Sequence, residues 1–167
     1  TRVKAAFVFV PLVLILIYVG GWMFNGFIAL VLLLAAWEFS HLFEQFSSKP
    51  CFPLICVGIL LFVLQRWFLA EASLGILLSL FMFVAILVAL VQYEMGVEDA
   101  ALRFTIGLGG VFYLGWVGSF FISLRSLPDG LGWTLTALPI TWLADSGAYF
   151  IGRWLGKRHM SPKLSPH

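Results

Sequence analysis

Asp145, Tyr149 and Arg153 recur every four residues in the otherwise apolar segment Trp142-Leu143-Ala144-Asp145-Ser146-Gly147-Ala148-Tyr149-Phe150-Ile151-Gly152-Arg153. On a helix that spacing brings a carboxylate, a phenol and a guanidinium near one face, as a polar stripe. A carboxylate inside an apolar run costs several kcal/mol unless it faces protein, water or a cation, so Asp145 is a functional candidate by default. At a rise of about 1.5 Å per residue, Arg153 stands about 12 Å further along the helix, which places Asp145 below a headgroup layer rather than at mid-bilayer. Pairing between Asp145 and Arg153 is the plain structural alternative. Two full turns are too long for a direct pair on a straight helix, and a bound cation or a hydrated site accounts for the acid better. Beside the stripe, Ala144, Ala148 and Gly152 form a small-xxx-small pattern that lets another helix approach closely.

Beyond Gly156, a residue suited to end a helix in the left-handed conformation, the chain runs Lys157-Arg158-His159-Met160-Ser161-Pro162-Lys163-Leu164-Ser165-Pro166-His167. Two readings of this basic, turn-rich tail stand side by side. It is either a juxtamembrane anchor, each Lys or Arg attracting anionic headgroups by about 1 kcal/mol, or a phosphate-binding loop beside Asp145. Other polar residues are weaker leads. Glu38 reads as solvated, with closure of the same polar cavity as the alternative. Gly115, Ser119 and Ser123 read as a helix-packing seam. The G-x-G-G of Gly107, Gly109 and Gly110 has no Lys-Ser/Thr after it, so close packing explains it better than a nucleotide loop.

These residues must be positioned by membrane helices. Of 167 residues 62% are hydrophobic and only 11% charged, against roughly 45–50% and 25% in soluble domains, which excludes a water-soluble globule. Mean hydropathy is +1.03. Cys51 and Cys56 sit in or beside an apolar run, away from any histidine cluster, and read as packing residues rather than a disulfide or metal framework. Apolar runs at 5–19, 22–39, 53–69, 73–91, 104–124 and 131–152 predict an all-α polytopic integral membrane protein of about six transmembrane helices in a single membrane-embedded region. Pro53 suits the first turn of the third run. Gly20-Gly21 predict a tight re-entry, and the first run is read as a retained helix because no small-x-small cleavage site follows it. The longest polar loops are expected at 38–50 and 92–103. Arg2, Lys4, Lys49, Arg103, Arg153, Lys157, Arg158 and Lys163 fall on one side of the six runs, and only Arg66 and Arg125 on the other. The positive-inside rule then predicts that both ends of the chain are cytoplasmic.

Three pieces of the chain resemble the phosphatidate cytidylyltransferase (CDP-diacylglycerol synthase) family. They are Ala35-Ala36-Trp37-Glu38-Phe39, then Trp142-x-x-Asp145-Ser146-Gly147-Ala148-Tyr149-x-x-Gly152, and then Gly156-Lys157 with Ser161-Pro162-Lys163-Leu164-Ser165-Pro166. The last two are the specific ones, matching the family's Asp-Ser/Thr-Gly/Ala-Ala-Tyr, Gly, Gly-Lys and Ser-Pro order. The resemblance implies transfer of the cytidylyl group from CTP to phosphatidic acid, giving CDP-diacylglycerol and pyrophosphate. It implies a catalytic role for Asp145, also a candidate Mg²⁺ ligand, and contacts from Tyr149, Arg153, Lys157, Lys163 and Ser165 to CTP or lipid phosphate. Expected partners are CTP, phosphatidic acid and membrane lipids, with no nucleic acid; a homodimer is left open. The expected location is the bacterial inner membrane. The chain stops before the family's Lys-Thr-x-Glu-Gly and His-Gly-Gly-x-x-Asp-Arg stretches. It is therefore expected to be an N-terminal portion, inactive alone, with further Mg²⁺ ligands in the remainder. The competing readings are a CTP-dependent polyprenol-type lipid kinase and a non-catalytic transport or scaffold protein with Asp145 as an ion relay.

Overall fold

The computed structural model describes residues 2–43, 48–68 and 73–155, and the described part of each of the six apolar runs is helical. About nine tenths of the described residues are helical and none lies in a strand, so the class is all-α. The helices are α1 (Arg2–Val19), α2 (Gly21–Leu42), α3 (Phe52–Phe68), α4 (Leu74–Glu94), α5 (Ala100–Gly110), α6 (Gly118–Ser126) and α7 (Gly130–Leu155), with a π-helical stretch, Val111–Val117, joining α5 to α6. Gly21–Leu42, Leu74–Glu94 and the continuous Ala100–Ser126 are long and apolar enough to cross a membrane, and Val10–Val19 and Phe52–Phe68 are shorter apolar helices. The protein is a polytopic membrane protein.

Helices outrun the expected polar loops. α4 continues to Glu94 and α5 starts at Ala100, so the loop expected over 92–103 shrinks to five residues. Asp99 turns that corner at φ 60 and Asp129 precedes α7 at φ 56, and aspartate is among the few residues other than glycine that accept this left-handed backbone. Between α1 and α2 the re-entry expected at Gly20-Gly21 is present, both glycines holding positive φ, 65 and 56. Pro53 falls in the first turn of α3 as its missing N–H requires.

Contacts at opposite ends show that α1 and α3 each run parallel to the continuous Ala100–Ser126 helix. At one end Nε of Arg125, in the last turn of α6, donates to the carbonyl of Ile17 (2.8 Å) and its Nη2 to that of Tyr18 (3.2 Å). These are carbonyls of the last turn of α1, which have no partner within their own helix. At the other end Oγ of Ser48 donates to Oδ2 of Asp99 (3.3 Å). Arg66 places its guanidinium carbon 4.2 Å from the centre of the Phe120 ring. Both basic residues counted on the sparse side thus engage neighbouring helices.

The core lies between α2, α3 and the α5–α6 helix. Phe24, Ile28, Leu32, Ala36 and Ser40 bury one stripe of α2 at four-residue spacing, while Leu30, Leu34 and Trp37 on its other side are exposed. α4 buries only Phe81 and Ala85 and exposes Ile76, Leu80, Phe83, Leu87 and Leu90, a surface suited to lipid and not to water. Small residues set the close approaches. A Cβ on Gly110 would lie 2.7 Å from the Phe39 ring, one on Gly115 would lie 3.2 Å from Cα of Ile59, and one on Gly118 would overlap the Leu32 side chain. Ser119 is fully buried and donates to the Trp116 carbonyl (2.9 Å). The seam expected at Gly115 and Ser119 is therefore real, and Gly107, Gly109 and Gly110 lie inside a helix rather than in a nucleotide loop. The π-helical stretch has no counterpart among the sequence expectations. It shifts the phase of the helix between Gly110 and Gly118, both of which pack against α2.

Candidate active site

Residues 145, 149 and 153 lie on the second half of α7, on one face by backbone geometry. Nη1 of Arg153 donates to the phenol oxygen of Tyr149 (3.3 Å). Tyr149 is 61% exposed and Arg153 is exposed as well, and the Tyr149 ring meets Phe150 edge-on at 5.6 Å. With its oxygen accepting from the guanidinium, the phenol keeps its own proton to donate, and the guanidinium keeps further N–H groups for an anion. Two donors one turn apart on an exposed helix end suit a phosphate oxygen. The Asp145 side chain is not among those described; its backbone stands one turn before Tyr149, in the same stripe. Lys157, Lys163 and Ser165 lie outside the described residues.

The small-residue face beside the stripe meets no helix among the described residues. Ala144, Ala148 and Gly152 are exposed, and a Cβ on Gly152 would find nothing within 4 Å. Glu38 is exposed near the end of α2, in keeping with the solvated reading. Glu94, Glu98 and Asp99 are exposed around the α4–α5 corner. Among the described residues no group of three or more His, Cys, Asp or Glu could hold a metal ion. Asp145 is the single carboxylate of α7. One carboxylate is a partial site at most for Mg²⁺, which needs six ligands and takes one or two carboxylates together with water and phosphate oxygens.

One feature near this helix had no signal in the sequence. A groove of about 200 Å³, open on one side, lies between α1, α2, α6 and α7, lined only by apolar side chains and Gly118. Its residues are ordinary members of apolar runs, and only their convergence from four helices makes a groove.

The fold and the site together define a class, an all-α membrane bundle with a phenol–guanidinium pair at one exposed helix end. The chain belongs to the cytidylyltransferase family, whose pattern it matches over residues 1–167. It is similar to the phosphatidate cytidylyltransferase of Pseudomonas aeruginosa, 29% identical over 164 residues that cover 93% of this chain and 59% of that protein. It is also similar to that of Staphylococcus aureus (strain COL), 30% identical over 172 residues covering 100% of this chain and 62% of that protein. With that of Bacillus subtilis it shares 43% identity over 56 residues, 33% of this chain and 21% of that one. The chain thus spans about three fifths of the length of the curated relatives it matches end to end. No solved structure matches it.

Proposed function

We propose that this protein transfers the cytidylyl group of CTP to phosphatidic acid at a membrane surface. The Tyr149–Arg153 pair carries the reading: it offers two phosphate-directed donors on the same helix face as Asp145, within a chain that belongs to the cytidylyltransferase family throughout. A phosphate oxygen of the lipid attacks the α-phosphorus of CTP, the bond from that phosphorus to the β-bridging oxygen breaks, and pyrophosphate leaves with the electron pair. Arg153 and Tyr149 orient the phosphates and neutralise charge that builds on their oxygens. Lys157, Lys163 and Ser165 are proposed as further phosphate contacts. Asp145 is proposed to organise the polar end of the site. Mg²⁺ would arrive with the nucleotide and neutralise phosphate charge, since the described residues do not assemble a site for it.

The six apolar runs are proposed to span a bacterial inner membrane with the C-terminal end of α7 toward the cytosol. The distribution of Lys and Arg, eight against two, supports this orientation, and CTP is a cytosolic solute. A homodimer stays an open proposal. The deciding experiment measures CTP-dependent formation of CDP-diacylglycerol in vesicles by the full-length protein and its Asp145→Asn variant. A fall of about 100-fold or more is expected. Unchanged rates in the variant would remove Asp145 from the site, and absence of product from the unmutated protein would overturn the activity.

A further inference from the structure

Leu138, which lines the apolar groove, stands seven residues before Asp145 and eleven before Tyr149 on α7. At 3.6 residues per turn both positions return to within about 20° of Leu138, so one face of the helix leads from the polar stripe down to the groove. The rise from Leu138 to Tyr149 is about 16 Å, close to the roughly 15 Å of hydrocarbon in one leaflet. Phe24 and Val13 close the inner side of the groove and are buried, while Val31 at its rim is 38% exposed, so the groove is open to what surrounds the bundle. At its wall Gly118 lets α6 come close to α2, since a Cβ there would run into Leu32.

Resting on the function proposed above, we infer that this groove receives one acyl chain of the lipid phosphate while the headgroup meets Arg153 and Tyr149. Charge and depth select this occupant. The head end presents a guanidinium and a phenol to an anion, the tail end one leaflet deeper presents only hydrocarbon, and the two lie on one helix face. A glycerophospholipid with an exposed phosphate has that polarity and that length. A second protein helix would fill the groove but would leave the cation at its head unexplained. The groove also supplies a basis for chain-length selectivity, because a short acyl chain anchored at Arg153 stops before Leu138.

The test uses the full-length protein in phosphatidylcholine vesicles with phosphatidic acid carrying a diazirine at the end of one acyl chain. Photolabelling is expected on the α2, α6 and α7 segments that contain Val31, Phe121 and Leu138, and to be competed by unlabelled phosphatidic acid better than by phosphatidylcholine. Val31→Trp, a rim substitution that leaves the buried wall intact, is expected to cut this labelling. It should also raise KM for dipalmitoyl phosphatidic acid about tenfold more than for the dihexanoyl lipid, the equivalent of losing roughly two buried methylenes. Labelling elsewhere, equal competition by phosphatidylcholine, or capture of a protein segment in the groove overturns the inference. The two proposals fail separately. Product formation with equal responses of long-chain and short-chain lipids to Val31→Trp removes the groove and keeps the activity; competed labelling without CTP-dependent product removes the activity and keeps the groove.

Discussion

From Gly130 to Leu138 α7 is packed, with Gly130 and Thr134 buried and Leu131, Leu135, Ala137 and Leu138 half-buried. From Ile140 to Trp154 its described side chains are exposed, apart from half-buried Gly147. The first half is held from inside and outside: Oγ1 of Thr134 donates to the Gly130 carbonyl (2.7 Å), and a Cβ on Gly130 would overlap the Arg125 carbonyl. The second half carries Asp145, Tyr149 and Arg153 and meets no such wall among the described residues. Packing and exposure are thus separated along one helix. The packed half fixes where the stripe points, and the exposed half carries the Tyr149–Arg153 pair.

This contrast can be broken by substitutions, beginning with the exposed half. Arg153→Ala is expected to lower CTP-dependent turnover about 100-fold while leaving the thermal midpoint in detergent unchanged, because its loss removes a phosphate-directed charge and no packing. A drop in the midpoint instead would show that the stripe is structural. In the packed half the expectation reverses. Gly130→Val should destabilise by about 3 kcal/mol, read as an earlier thermal transition of the purified protein, since backbone carbonyls of Leu124 and Arg125 cannot yield to the added atoms.

Smaller effects sharpen the same line. Tyr149→Phe keeps the ring and removes the oxygen that accepts from Arg153, so turnover should fall about fivefold through a looser guanidinium, with Arg153→Ala in the same background costing less than it does alone. Additive losses in that double-mutant cycle would show that the two residues act independently. Gly152→Ala should change the thermal midpoint least, by no more than about 0.5 kcal/mol in stability, because nothing lies near the new methyl group. A large loss would reveal a helix packed on the Ala144–Ala148–Gly152 face.

Much of the fold was legible because lipid imposes one rule on every helix: it must be apolar for the length of its crossing. The run at 22–39 therefore lies inside α2 and that at 73–91 starts one residue before α4, and Pro53 and Gly20-Gly21 mark ends by backbone restrictions that act locally. The stripe was legible for the same reason, since four-residue spacing is a property of one helix. The π-helical stretch was not, because apolar residues are accepted on every face of a membrane helix and hydropathy carries no phase. Arg125 reached the carbonyls of Ile17 and Tyr18 across more than a hundred residues, and no local pattern predicts such a bond.

The chain's own residue order determined its class: helices in a membrane, with a polar stripe of acid, phenol and guanidinium on the last of them. Which helices touch was decided only in three dimensions. Membrane helices are alike in hydropathy, and lipid supplies no hydrophobic force to sort them, so small residues and shape choose the neighbours. That choice set Gly115 against Ile59, capped α1 with Arg125, and gathered residues of α1, α2, α6 and α7 around a groove on the face that leads to Arg153.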